Sequence, residues 1–349
     1  MKSRVAWLAR YSPCCKEAQM RPPEFWNTRH GRAAAPVSRT LLLPISWLYQ
    51  AVSNWKFSRT TPTRLPVPVI CVGNINMGGT GKTPLAIKLA QHLMGQGLHP
   101  AFLTRGYGGN QRGSVRVDPK LHSHRNVGDE PLLLAEIAPT FVGPDRLASA
   151  QMAIQAGANC LIMDDGFQNS SLAKDLSVLA LDAEIGLGNG YVFPAGPLRE
   201  PAGRALQRAD AIVWIGPGEM AKQHTELDTF TGAVLSAKLR AEAKPPTGKL
   251  LAFAGIGRPE KFFSSLRTAG AELVQEIAFA DHHAFSAKDV TNLTKWAEKY
   301  QARLITTTKD AVRWPAELRA DLLVWPVALE FAKPDDVEKL LAGVIYSCT

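Results

Sequence analysis

One stretch limits what this chain can fold into: residues 67–94, VPVICVGNINMGGTGKTPLAIKLAQHLM. Val67 to Val72 is an apolar, β-branched run of strand length, and Gly78, Gly79 and Gly81 then permit a turn that few other residues could make. From Thr83 onward Leu85, Leu89 and Leu93 recur every four residues, the spacing of one helical face. A strand, a Gly-rich loop ending Gly81-Lys82-Thr83, and a helix together make the phosphate-cradling unit of P-loop proteins. Glycines let backbone N–H groups converge on an anion, and the helix N-terminus adds a partial positive charge. In this reading Asn76, Gly78, Gly79, Thr80, Gly81, Lys82 and Thr83 bind the nucleotide. Lys82 reaches the outer phosphates and the Thr83 hydroxyl sits on Mg²⁺. Pro84 costs little there, because the first N–H groups of a helix lack helical partners.

The pattern is not the commonest one. Counting back from Lys82, the first position of G-x-x-x-x-G-K-[ST] is Asn76. Met77 stands where the G-G-x-G-K-T variant often has a lysine. A Gly-rich turn with an exposed lysine is the bland account, and the flanking strand and helix favour nucleotide binding over it.

A length of 349 residues exceeds one compact core and suggests two domains. The formal charge of +9 is localised: residues 1–66 hold 11 Lys/Arg and 2 Glu, leaving 29 basic and 29 acidic residues beyond them. A basic arm on a neutral body suits an anionic membrane surface or a nucleic acid. Within the arm, a helix begun at Pro44 would put Leu48, Ala51, Val52 and Trp55 on one stripe, flanked by Arg39, Lys56 and Arg59. The apolar stretch is well short of the about 20 residues that span a bilayer. It reads as an interfacial amphipathic helix, with a helix packed on the protein body as the alternative. No nucleic-acid recognition motif accompanies the charge. The first 30 residues lack a signal-peptide pattern, and Cys14, Cys15, Cys71, Cys160 and Cys348 form no metal-ligand spacing, so a cytoplasmic body is expected.

After the P-loop helix, apolar runs recur at 101–103, 140–142, 160–163, 176–181 and 211–215. Helical patterns or long loops separate them, as in a mostly parallel sheet flanked by helices. The polar segment 240–249, with its Pro-Pro, reads as a linker. Beyond it strands are expected at 250–254, 273–278, 303–306 and 322–327, and helices at 259–269, 286–299 and 334–341. The expected plan is therefore a mobile extension (1–35), a membrane-associating helix with its lead-in (36–66), a P-loop nucleotide-binding α/β domain (67–240) and a smaller α/β domain (250–349) that closes the cleft.

Five further strings carry side chains suited to chemistry. Cys160 to Gln168 is an apolar strand delivering Asp164 and Asp165 at its C-terminal end, where open α/β sheets bind ligands and acidic residues hold Mg²⁺; an Asp-Asp-Gly turn is the alternative. In Val127-Gly128-Asp129-Glu130-Pro131, Asp129 could cap a helix, or take the proton of an attacking hydroxyl, or do both. Asp281-His282-His283 follows a strand, so one histidine could face the cleft and orient a base. Arg105, in a Gly-rich string, and Arg199, beside Glu200, offer bidentate phosphate recognition or mere surface turns.

Taken in order, these strings resemble the tetraacyldisaccharide 4'-kinases (lipid A 4'-kinases) of Gram-negative bacteria. The resemblance runs from about Pro36 to the C-terminus. It rests on segments 42–49, 72–84, 104–108, 127–131, 164–168, 188–201, 281–285 and 307–312. Thr308 departs from it, standing where an acidic residue is expected before Lys309, and residues 1 to about 30 have no match. The resemblance implies transfer of the ATP γ-phosphoryl group to the 4'-hydroxyl of a lipid-linked disaccharide 1-phosphate. It implies Asp129 as base with His282 as its partner, and Asp165 among the catalytic groups. Thr83, Asp165 and Glu200 would bear on Mg²⁺, and Arg105, Gln168 and Arg199 would line the substrate side. It implies a peripheral or monotopic protein on the cytoplasmic face of the inner membrane, with no obligate protein partner. Two rivals stand beside it: a membrane-associated P-loop ATPase or GTPase switch without a lipid acceptor, and a nucleotide-binding module without turnover. No Asn-Lys-x-Asp guanine-reading string is present.

Overall fold

The computed structural model of the protein describes residues 23–28, 35–217 and 227–348. Strands follow in chain order as β1 (Val69–Gly73), β2 (Pro100–Thr104), β3 (Val115–Arg116), β4 (Thr140–Val142), β5 (Cys160–Asp164), β6 (Leu176–Asp182), β7 (Ala211–Ile215) and β8 (Ala233–Ala241). Then come β9 (Lys249–Ala254), β10 (Glu272–Ala278), β11 (Arg303–Thr307), β12 (Leu323–Trp325) and β13 (Val327–Phe331). The larger sheet is ordered β13-β8-β7-β6-β1-β5-β2-β4-β3 and the smaller β10-β9-β11-β12. In the larger sheet only the edge pairs β3–β4 and β8–β13 are antiparallel. An α/β architecture built on a mostly parallel sheet is thus the observed fold.

The strand sequences explain why the larger sheet is covered on both faces. Along β1, Ile70 and Val72 enter one apolar cluster while Val69 and Cys71 enter another. β5 repeats the alternation, with Cys160 and Ile162 on one side and Leu161 and Met163 on the other. A period of two with apolar residues on both faces is what a buried parallel strand requires. Helix Lys82–Gly95 covers the first face through Leu85, Leu89 and Leu93, each fully buried. Burial of each such side chain stabilises by about 1.5–3 kcal/mol. Helix Arg146–Gln155 covers the second face with Ala150 and Ala153, and Asp145 caps it by accepting from the Leu147 and Ala148 N–H groups. β1 lies between β5 and β6, so the chain order reverses beside the phosphate loop. Such a reversal opens a crevice outside the C-terminal strand ends.

Several expected boundaries move. The strand read over 322–327 is broken at Pro326, which has no N–H to give a ladder. β12 stays in the smaller sheet, and β13 crosses back to pair with β8. Helix Asp336–Cys348 follows it, and its Val337, Leu341 and Val344 join the first-face cluster. The 250–349 unit therefore surrenders its last strand and helix to the larger sheet. β8 had no counterpart in the sequence reading, although Leu235, Ala237 and Leu239 alternate with Ser236, Lys238 and Arg240; most of its residues are exposed. The polar linker shrinks to the span between β8 and β9.

The N-terminal helix runs Pro36–Ser58 and passes through Pro44. Ser46 is buried, donating to Val192 O at 2.9 Å and accepting from the Ala195 N–H at 3.2 Å. Within the expected extension, Glu24–Trp26 forms a 3-10 turn whose Trp26 indole donates to Pro194 O. Residues 1–22, with Cys14 and Cys15, and 29–34 lie outside the described residues. No helix among the described residues is long and apolar enough to cross a membrane.

Candidate active site

The phosphate loop is held from behind and open in front. Asn76 is buried and donates its side-chain amide to Gly186 O (2.7 Å), while the Met77 N–H bonds Pro197 O and the Arg199 N–H bonds Ile75 O. Asn76 thus braces the loop from its protein side. Asn74 donates to Gly78 O at 3.1 Å. A Cβ added at Gly78 or Gly79 would meet nothing within 4 Å, so the loop's outer side has room for phosphate. Gly81 adopts φ 87° and caps the helix that starts at Lys82. Thr80 is buried with its hydroxyl unpartnered among the described residues.

Opposite Lys82 and Thr83 stand the two carboxylates at the end of β5. The Thr83 hydroxyl donates to Asp164 Oδ2 at 2.8 Å, and Asp164 Oδ1 is buried without a partner among the described residues. Burial and the nearby Glu130 push Asp164 up to about 7, against the pull of Lys82 and the Thr83 hydrogen bond. Asp165 turns the chain with φ 56° and so faces another way. It lies 2.8 Å from Arg199 Nη1 and 3.7 Å from Lys82 Nζ. Burial raises its pKa, but Lys82 and Arg199 outweigh that and lower it. Adjacent carboxylates thus take different tasks: Asp164 faces the Thr83 hydroxyl, and Asp165 is clamped by two cations.

Gln168 links this wall to the next loop, donating to Asn74 O and to Glu200 Oε1 and accepting from Arg199. Glu200 is buried and ion-paired with Arg208 at 2.5 Å, away from Thr83's immediate partners. Among the described residues no three His, Cys, Asp or Glu side chains gather as a metal cage. A Mg²⁺ bound with phosphates needs only one or two carboxylates from protein. The buried, unpartnered Asp164 Oδ1 beside the Thr83 hydroxyl fits that need.

Across the crevice, Asp129 is buried at 5% exposure as the first residue of helix Asp129–Ala135; Gly128 precedes it as the cap. The capping role read from sequence therefore belongs to Gly128, whose φ of 91° suits glycine alone. A Cβ there would sit 2.5 Å from Tyr107 O, and one at Gly109 would sit 2.5 Å from Asn126 O. The glycines of segment 106–109 thus let two backbones touch and aim Asp129. Arg105, at the head of that segment, is exposed.

His282 comes from the smaller sheet's side, with φ 57°, and its Nδ1 lies 3.0 Å from Asp129 Oδ2. His283 turns the other way and pairs with Asp289. Burial raises the Asp129 carboxyl, but the His282 hydrogen bond and the charges of Lys309 and Arg313 prevail and bring it down to about 2. Arg313 Nε is 3.5 Å from Asp129 Oδ2, and Lys309 Nζ is 3.0 Å from Glu130 Oε1.

A family model described as Tetraacyldisaccharide-1-P 4'-kinase matches residues 38–346. The chain belongs to this family. A tetraacyldisaccharide 4'-kinase from Maricaulis maris is 44% identical over 336 residues, covering 93% of this chain and 97% of that protein. One from Parvibaculum lavamentivorans is 48% identical over 297 residues, covering 84% and 86%. Among solved structures, the "apo" form of LpxK from Aquifex aeolicus in complex with ATP superposes with a TM-score of 0.69. It is 26% identical, with 88% of this chain and 99% of that one covered.

Three charged residues of this 4'-kinase family chain escaped the sequence reading. Lys309 and Arg313 lie one helical turn apart in TTKDAVR, a spacing that could have flagged a shared face. Arg146 is 5% exposed, its Nη1 donates to Gly143 O, and its Nε has no partner among the described residues. Burial and the neighbouring Arg105 pull it down to about 10. Its sequence signal is the Gly-Pro-Asp-Arg end of β4, at the same sheet edge as the phosphate loop.

Proposed function

We propose that this chain transfers the γ-phosphoryl group of ATP to the 4'-hydroxyl of a tetraacyldisaccharide 1-phosphate, with Asp129 as the base. Membership of the family makes the chain an ATP-dependent kinase of lipid A biosynthesis. The observation that carries the residue assignment is the Asp129–His282 contact, whose neighbour Glu130 acts electrostatically on Asp164 beside the open phosphate loop. Asp129 Oδ would take the 4'-hydroxyl proton as the oxygen attacks phosphorus, and His282 would keep the carboxylate aimed. Lys82 would neutralise charge on the transferred group, and the loop amides would hold the remaining phosphates. Thr83 and Asp164 would hold Mg²⁺, which would supply positive charge to offset that of the phosphates. Asp165 would set Lys82 and Arg199; Gln168 and Glu200 would brace that wall. A switch that activates water has no evident use for the pairing of a buried Asp129 with His282.

The deciding measurement follows labelled ATP with a lipid disaccharide 1-phosphate. Asp129→Asn should lose about 10²-fold or more in turnover while keeping ATP affinity. Full turnover in that variant would return Asp129 to a structural role.

The reading extends to the membrane. Trp47, Leu48, Val52 and Trp55 of helix Pro36–Ser58 are between 46% and 66% exposed, while Ser46 on the other side is buried. Two tryptophans and aliphatic side chains on one open face suit the headgroup level of the cytoplasmic leaflet. Trp47→Ser with Trp55→Ser should lower retention on anionic vesicles and leave ATP binding unchanged. Undiminished retention would sink the membrane role.

A further inference from the structure

The two ring nitrogens of His282 have unlike neighbours. Nδ1 faces Asp129 Oδ2 at 3.0 Å, and Nε2 faces Lys309 Nζ at 3.4 Å. An ionised carboxylate only accepts hydrogen bonds, and an ammonium only donates them. Both contacts are satisfied together by one form of the ring: a proton on Nδ1 and a lone pair on Nε2. We propose that Lys309 is a positioning residue that holds His282 as the neutral, Nδ1-protonated tautomer, so that its single ring proton is given to Asp129.

Every group around the ring bears on this assignment. Asp281 Oδ1 lies 3.9 Å from Nε2 and would favour a proton there, but it is the more distant and more exposed neighbour. Tyr107 meets the ring edge-on at 5.7 Å between centroids. The His282 backbone N–H bonds Gly255 O and Asp281 Oδ1, which fixes the residue's left-handed turn. Lys309 is itself held: Glu130 Oε1 accepts from its ammonium at 3.0 Å, and its carbonyl accepts from Arg313 Nε at 3.3 Å. Arg313 also stands 3.5 Å from Asp129, with His124 within electrostatic reach of the same carboxylate.

The tautomer matters for the chemistry. Asp129 already feels Arg313 and Lys309, and an imidazolium would add a third positive charge and make it a poorer proton acceptor. A neutral ring orients the carboxylate without that cost. The benefit rests on the reading of Asp129 as the base; the tautomer itself does not.

The test uses the full-length protein labelled with ¹⁵N-histidine, with His282→Gln identifying the resonances. At pH 7 the wild type should show His282 protonated on Nδ1 and bare on Nε2. In Lys309→Met the freed Nε2 should compete for the ring proton, so the Nδ1-protonated tautomer should lose its dominance. KM for ATP should stay within about twofold, and Lys309→Arg, which keeps a donor, should restore the tautomer. A wild-type ring protonated on Nε2 or on both nitrogens would overturn the proposal, even if Lys309→Met failed to fold. So would an unchanged tautomer in a folded Lys309→Met protein. Full turnover by Asp129→Asn would instead defeat the base reading and leave the wild-type spectrum to decide the tautomer.

Discussion

The two walls of the cleft are built in different ways. Lys82 and Thr83 open the helix that follows β1, and Asp164 and Asp165 stand at and just beyond the end of β5, the parallel neighbour of β1 in the same sheet. Asp129 also belongs to that larger unit, but His282, Lys309 and Arg313 reach it from the segments after β10 and β11 of the other sheet. The phosphate wall is therefore complete within one folding unit. The base wall exists only when the smaller sheet is seated against the larger, and its geometry depends on that seating.

A pair of glycine substitutions separates the walls most sharply. Gly79→Ala puts a methyl group into open space, so the fold should tolerate it, yet the methyl occupies the phosphate side. Turnover should fall about 10²-fold with little change in urea midpoint. Gly128→Ala forces a Cβ to 2.5 Å from Tyr107 O at φ 91°, so stability should fall by about 2–4 kcal/mol. If Gly79→Ala destabilised as much as Gly128→Ala, the claim of an open phosphate loop would be wrong.

A smaller effect probes the seating itself. Arg258 and Lys261, beside the start of helix Pro259–Thr268, reach Asp182 Oδ2 at 2.8 and 2.7 Å, and both also pair with Glu184. Asp182 ends β6 in the larger sheet. These side chains are more than a third exposed, so replacing both with alanine should cost about 1 kcal/mol, and less in high salt. KM should rise more than Lys82-dependent ATP binding falls; equal changes in both would mean that the contact supports the phosphate wall as well.

The gentlest expected change is in pH dependence. Asp129 sits below its ordinary value when folded, so its contribution is complete above about pH 4 and is lost as pH falls toward 2. The stability gap between wild type and Asp129→Asn should be flat from pH 5 to 8 and narrow below 4. A gap that narrowed between pH 6 and 8 would assign the effect to another group.

This division also explains what was legible in the chain. The strand, glycine loop and helix around Lys82 are contiguous, so local periodicity and turn chemistry sufficed to read them. Asp129 and His282 were legible as residues, the second by family resemblance, but their contact joins positions 153 apart. The choice between Asp164 and Asp165 as Thr83's partner depended on a left-handed turn at Asp165 that no neighbouring residue type announces. β8 went unread although its Leu235, Ala237 and Leu239 alternate with polar residues, because the strand is mostly exposed and leads into the Pro-Pro segment, and Pro326 hid a change of sheet between β12 and β13 within one apolar run.

One loop serves two masters. Residues 191–199 hold Ser46 of the N-terminal helix through Val192 and Ala195, and brace the phosphate loop through Pro197, Leu198 and Arg199. Any surface that grips the helix therefore also sets the height and tilt of the nucleotide, as a workbench clamp sets the distance between tool and workpiece. A sugar alcohol presented by a lipid would be met at a fixed elevation, and lengthening the tether between helix and body would blunt catalysis on bilayers while sparing a detergent-dispersed acceptor.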